Sequence, residues 1–148
     1  MGAGYEYFCE KCGKEFSVDF GCGMMYPRVY KALLEDIKSG KYGEEMKTAA
    51  LSNSNVVVDS EKHLFICYCD YWENTYGLSL FTPKEGVSID SHFITPYRQR
   101  DKFQVLYEYN HQCPECGETM IEADGERIDL RCPICKSMCS INGISRWD

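Results

Sequence analysis

The residues best able to do chemistry in this chain are its cysteines, and their spacing is not that of scattered thiols. Cys113-Pro114-Glu115-Cys116-Gly117 is followed, after fifteen residues, by Cys132-Pro133-Ile134-Cys135-Lys136. Two cysteines separated by two residues aim both sulfurs at one ion when the backbone between them turns tightly. Two such knuckles supply the four thiolates of a tetrahedral site. Gly117 suits a turn that needs positive φ, and Pro114 and Pro133 set φ at the start of each knuckle. The pattern predicts one metal site formed by Cys113, Cys116, Cys132 and Cys135. Four thiolates suit zinc and iron alike. Zinc is the expectation because the sequence carries no other redox motif, and iron is the alternative at this C-terminal site. Cys139 is either a replacement for Cys135 or a small buried residue. His111 reads as a strand-end or surface histidine, since a four-cysteine site leaves no vacancy.

Cys9-Glu10-Lys11-Cys12-Gly13 repeats the knuckle but brings only two ligands. The other two are expected from Cys67-Tyr68-Cys69, inside the apolar run 64–71. If residues 63–69 form a strand, Cys67 and Cys69 lie on one face of it. Cys22, Asp70 and His63 are alternatives for one of these thiolates. The predicted ligands are therefore Cys9, Cys12, Cys67 and Cys69 for one Zn2+, and Cys113, Cys116, Cys132 and Cys135 for a second.

The elements that must position these residues are partly visible. Residues 27–39 predict the main helix: Pro27 suits its first turn, Val29, Tyr30, Leu33, Leu34 and Ile37 recur at helical spacing, and Gly40 suits its end. A shorter helix is expected over 43–51. Strands are expected over 56–59, 63–69, 77–81 and 103–109. Between the last two cysteine knuckles, residues 119–123 and 127–131 read as a hairpin with Asp124-Gly125 at its turn. The polar stretch 83–102 reads as a long loop, and it holds the only basic cluster, Arg98, Arg100 and Lys102.

The C-terminal stretch resembles the zinc ribbons and, through its C-P-x-C knuckles, the rubredoxin-type iron sites. Most of the chain resembles a family of small uncharacterised bacterial proteins with zinc-ribbon motifs. That resemblance is carried by Gly4-Tyr5-Glu6 with the Cys9 knuckle, by Gly21-Cys22-Gly23-Met24-Met25-Tyr26-Pro27, by the central cysteine pair and by the C-terminal knuckles. It implies metal binding and no particular substrate. The expected architecture is α+β: residues 1–110 as a small β-rich body with one main helix and a second metal site, and 111–148 as a C-terminal zinc ribbon.

Composition narrows the function. The 148 residues carry a formal charge of −7, and two four-thiolate zinc sites would take it to about −11. A chain this acidic is a poor coat for nucleic acid or an anionic membrane. No apolar run reaches bilayer length, and the first residues lack the charged and apolar regions of a signal peptide, so a cytoplasmic protein is expected. His63, His92 and His111 are scattered, and none is tied to a nucleophile. A closed four-cysteine site has no open position for water or substrate. The expectation is a non-enzymatic zinc-binding module with a protein partner. An iron electron carrier and a nucleic-acid-binding ribbon are the alternatives.

Overall fold

The computed structural model describes residues 2–23, 25–88, 96, 99–123 and 129–147. The expected turn at Asp124-Gly125, the start of the strand at 127, His92 and Arg98 lie outside the described residues. In chain order the elements are β1 (Gly2–Phe8), β2 (Glu15–Gly21), α1 (Tyr26–Lys38), α2 (Glu44–Leu51), β3 (Val57–Val58), β4 (Lys62–Ile66), β5 (Trp72–Tyr76), β6 (Leu80–Pro83), β7 (Phe103–Tyr107), β8 (Ile121–Glu122), β9 (Leu130–Arg131), β10 (Met138–Cys139) and β11 (Ile141–Trp147). The fold is α+β and strand-rich, as the sequence suggested. Among the described residues, no helix is long and apolar enough to cross a membrane.

The chain divides into two units. The first comprises Met1–Gly23, Lys62–Thr75 and Asn110–Asp148, and the second Met24–Glu61 and Tyr76–Tyr109. This corrects the expected division at residue 110: the N-terminal knuckle and the central cysteine pair fold with the C-terminal region, not with the helices.

In the first unit a six-stranded sheet runs in the order β11-β1-β2-β4-β5, with β8 added on β4. β1 pairs along its full length with β2, from Gly2↔Gly21 to Phe8↔Glu15, and with β11 on its other edge. β4 meets β2 at its start, through Gly21↔Lys62, and β8 at its end, through Phe65↔Glu122 and Ile66↔Ile121. Alternating side chains of these strands bury Tyr7, Val18 and Leu64 together with Leu130, Cys9, Cys132 and Cys139. Aromatic stacking extends this core, with Tyr7 on Phe16 at 4.9 Å and Phe16 on Trp72 at 5.5 Å between ring centres. The Asn74 side chain ties three strands: its amide donates to the carbonyls of Asp19 (2.7 Å) and His63 (3.1 Å) and accepts from the Asp19 N–H (2.8 Å).

The expected hairpin of 119–123 with 127–131 is not how the described strands pair. β8 joins β4, while β9 pairs with β10 through Leu130↔Cys139 and Arg131↔Met138. Each short strand finds a longer or more buried neighbour than the other could offer.

The second unit packs α1 and α2 with the three-stranded sheet β3-β6-β7. Leu33 and Ile37 of α1, Met46 and Ala50 of α2, and Val58, Leu78 and Leu80 form its core. Both helices lie where periodicity places them, and Gly40, with φ +92°, provides the left-handed turn that separates them.

Candidate metal centres

Four cysteine knuckles lie in the first unit, and three share one backbone design. In each, the N–H of the first cysteine donates to the carbonyl five residues on: Cys9 to Lys14 (2.9 Å), Cys113 to Glu118 (2.8 Å) and Cys132 to Ser137 (2.7 Å). The residue after the second cysteine returns a bond to the first cysteine's carbonyl: Gly13 at 2.8 Å, Gly117 at 2.9 Å and Lys136 at 3.0 Å. That residue must adopt positive φ, which is +78° at Gly13, +81° at Gly117 and +66° at Lys136. Glycine meets this demand without strain, whereas a lysine crowds its Cβ against the backbone.

Cys67 and Cys69 form the fourth knuckle. The expectation that they lie on one face of a strand is corrected, because β4 stops at Ile66. The turn is the same design with one residue removed. Cys67 N–H donates to the Tyr71 carbonyl (2.8 Å), Asp70 N–H returns to the Cys67 carbonyl (3.0 Å), and Asp70 takes the left-handed φ of +69°. A C-x-C pair therefore makes a working knuckle. The local signal for it is an aspartate, a residue tolerated in this region, directly after the second cysteine.

The sulfurs converge in two groups of four, with the candidate ligand atoms of each group within 4.8 Å of one another: Cys9, Cys12, Cys132 and Cys135, and Cys67, Cys69, Cys113 and Cys116. Both groups are geometrically able to hold a metal ion. Every cysteine expected as a ligand takes part, but the expected sets are corrected. Cys113 and Cys116 join Cys67 and Cys69, and Cys132 and Cys135 join Cys9 and Cys12. Across the first group, Cys9–Cys135 and Cys12–Cys132 are separated by 3.4 and 3.5 Å; across the second, Cys67–Cys116 and Cys69–Cys113 by 3.2 and 3.7 Å. A disulfide would require about 2.05 Å. The edge of a sulfur tetrahedron around zinc is roughly 3.8 Å, from a Zn–S distance near 2.3 Å.

The nesting follows from one device used twice. Each group joins a knuckle to another whose outgoing strand pairs with the first knuckle's incoming strand. β11 lies against β1, with Ile141 opposite Tyr7, and brings the Cys132 knuckle to the Cys9 knuckle. β8 lies against β4, with Ile121 opposite Ile66, and brings the Cys113 knuckle to Cys67. The first cysteine of every knuckle is buried. Cys12, Cys69 and Cys116 are exposed, and Cys135 is intermediate.

Electrostatics make a cation the natural occupant. Hydrogen bonds from the side chain and backbone of Ser137 pull the Cys135 thiol down to about 6. At Cys113, burial opposes ionisation, but the amides of Cys116 and Glu115 together with the Cys69 and Cys67 thiols outweigh it and the thiol falls to about 7. Cys12 is pushed up to about 12: the Lys14 amide favours its thiolate, but burial and the neighbouring sulfurs oppose it more strongly. Four sulfurs this close cannot all ionise alone, whereas a divalent ion among them neutralises half the charge.

The alternative ligands lie outside both four-cysteine groups. His63 Nδ1 lies 2.8 Å from Glu122 Oε1. His111 stacks on Phe65 with ring centres 3.7 Å apart. Cys22 and Cys139 are buried outside both groups; the Cys139 thiol donates to the Ser137 carbonyl at 3.5 Å, and burial pushes it up to about 11.

Arg131 spans the two groups. Its Nε donates to Asp70 Oδ2 (2.9 Å), its Nη1 to the Lys136 carbonyl (3.1 Å), and its own carbonyl accepts from Trp72 Nε1 (2.9 Å). It thus holds the residues that follow Cys69 and Cys135. No signal in the local sequence marked Arg131, because its partners are distant along the chain. No family model, curated protein or solved structure matches this chain.

Proposed function

We propose that this protein is a non-enzymatic module whose first unit is built on two structural zinc ions, each held by four thiolates, and that it presents a surface to a protein partner. The convergence of eight sulfurs in two groups of four carries this reading. Zinc suits such a set because it is tetrahedral, accepts four thiolates and needs no redox partner. A complete four-thiolate shell leaves no position for substrate, which argues for a structural role. A protein partner is favoured over nucleic acid by the charge of −7, which zinc binding makes more negative. Tyr68 and Ile134 add to this: they sit within knuckles, between paired cysteines, and are 87% and 66% exposed. Apolar side chains held out on rigid turns are the kind of anchor a protein interface uses.

The test is elemental analysis and native mass spectrometry of protein purified without added metal. Two zinc ions per chain are expected. A folded chain with no bound ion would overturn the reading, and red protein with thiolate-to-iron absorption would replace it with an electron-carrying centre.

A further inference from the structure

The two groups differ in how well the backbone compensates their charge. In a full-length knuckle the fifth residue's N–H bonds the first cysteine's carbonyl, so the third and fourth residues' amides are available to its sulfur. The Ile134 N–H accordingly donates to the Cys132 sulfur at 3.4 Å. In the shortened knuckle the fourth residue, Asp70, closes the turn on the Cys67 carbonyl with its N–H, so one amide fewer is left to face the Cys67 sulfur. A group of thiolates with one N–H donor fewer keeps more electron density, and its exposed members attack electrophiles more readily. The same group exposes two ligands, Cys69 and Cys116. Cys69 also lines a cleft of about 540 Å3 with Tyr71, Trp72, Glu115 and Pro133, wide enough for a small oxidant. Cys132 contributes to that wall, and Cys9 to a second cleft of about 420 Å3, but both of these sulfur-bearing residues are fully buried.

We propose that the Cys67, Cys69, Cys113 and Cys116 group is an oxidation site for peroxides, and that it surrenders its metal while the Cys9 group keeps its own. This rests on both groups binding an ion. An exposed thiolate, Cys69, attacks one peroxide oxygen and breaks the O–O bond, giving a sulfenic acid and one hydroxide. A thiolate from the opposite knuckle, with Cys113 nearest at 3.7 Å, attacks that sulfur, forms the disulfide and expels a second hydroxide. Two sulfurs thus lose two electrons to the two peroxide oxygens. The group then keeps only two thiolates, too few to hold an ion that needs four. Because the disulfide joins two arms already in contact, oxidation preserves their proximity and thiol reductants reverse it.

The experiment starts from fully loaded protein, with metal content measured first. Absence of metal at that stage refutes the two-ion reading and not this difference between groups. Hydrogen peroxide is then added while released zinc is followed with a colorimetric chelator, and cysteines are mapped by differential alkylation and mass spectrometry. The first zinc should leave about tenfold faster than the second, the scale of one charge-assisted hydrogen bond lost from a thiolate. Its loss should coincide with disulfides between the Cys67 and Cys113 knuckles, while Cys9, Cys12, Cys132 and Cys135 alkylate as thiols. Equal release rates, or first disulfides within the Cys9 group, would overturn the proposal. Inserting glycine between Tyr68 and Cys69 restores a full knuckle and should slow the first release to the rate of the second. If that insertion fails to bind metal, the comparison of groups in the unaltered protein decides.

Discussion

The two units of this chain solve the problem of a small core differently. The second buries Leu33, Ile37, Met46, Ala50, Val58, Leu78 and Leu80 between two helices and a sheet. The first divides its apolar residues into two clusters, each containing cysteines that belong to the metal groups: Cys9 and Cys132 in one, Cys67 and Cys113 in the other. Their sulfurs occupy positions that aliphatic side chains take in the second unit. A unit assembled from three separate segments gains most from cross-links of the kind a four-thiolate site can provide, and a contiguous helix pair has less need of them.

Stripping the metal should separate the units most sharply. Structural zinc contributes about 10–16 kcal/mol, as much as the whole stability of a small domain. Hydrogen exchange after chelation should show β1, β2, β4 and β11 losing protection while α1 keeps it; equal loss in both units would end the comparison. The next largest effect distinguishes nested from local pairing. Cys116→Ser and Cys132→Ser should each remove one ion, and the double variant both, because the cysteines serve different groups. Retention of one ion by the double variant would restore the pairing of neighbouring knuckles.

Core truncation should act on the other unit alone. Ile37→Ala leaves a cavity beneath α1 and should cost about 2–5 kcal/mol in denaturant unfolding, with the metal content unchanged. The smallest effect is expected at the one full-length knuckle that lacks glycine. Lys136→Gly relieves a left-handed lysine, and its backbone carbonyl still accepts from Arg131. It should stabilise the Cys9 group by about 1 kcal/mol, read as tighter zinc binding in competition with a chelator. Weaker binding would show that the lysine side chain matters more than its backbone strain.

Much of this was legible in the sequence because it is local. Apolar periodicity with Pro27 and Gly40 marks α1, and cysteine spacing with Gly13 and Gly117 marks individual knuckles, since both depend on residues within a few positions of one another. Strands β1, β2, β5 and β11 are not legible because their sequences do not alternate apolar with polar residues; in β1 the buried positions include Gly2 and Gly4. The C-x-C knuckle reads as a strand because its apolar neighbours share the same run.

Which knuckle meets which was decided only in three dimensions. Lengthening the closed loop from fifteen residues to the 120-residue separation of Cys12 and Cys132 is three doublings, which costs only about 1.8 kcal/mol. The pairing of β11 with β1 and the burial of Tyr7, Val18 and Leu130 outweigh that cost. The amino-acid order by itself determined eight candidate ligands and three of the four turns that carry them. Their partnership belongs to the sheet, because thiolates have no preference among equivalent sulfurs and strand pairing selects those that come within reach.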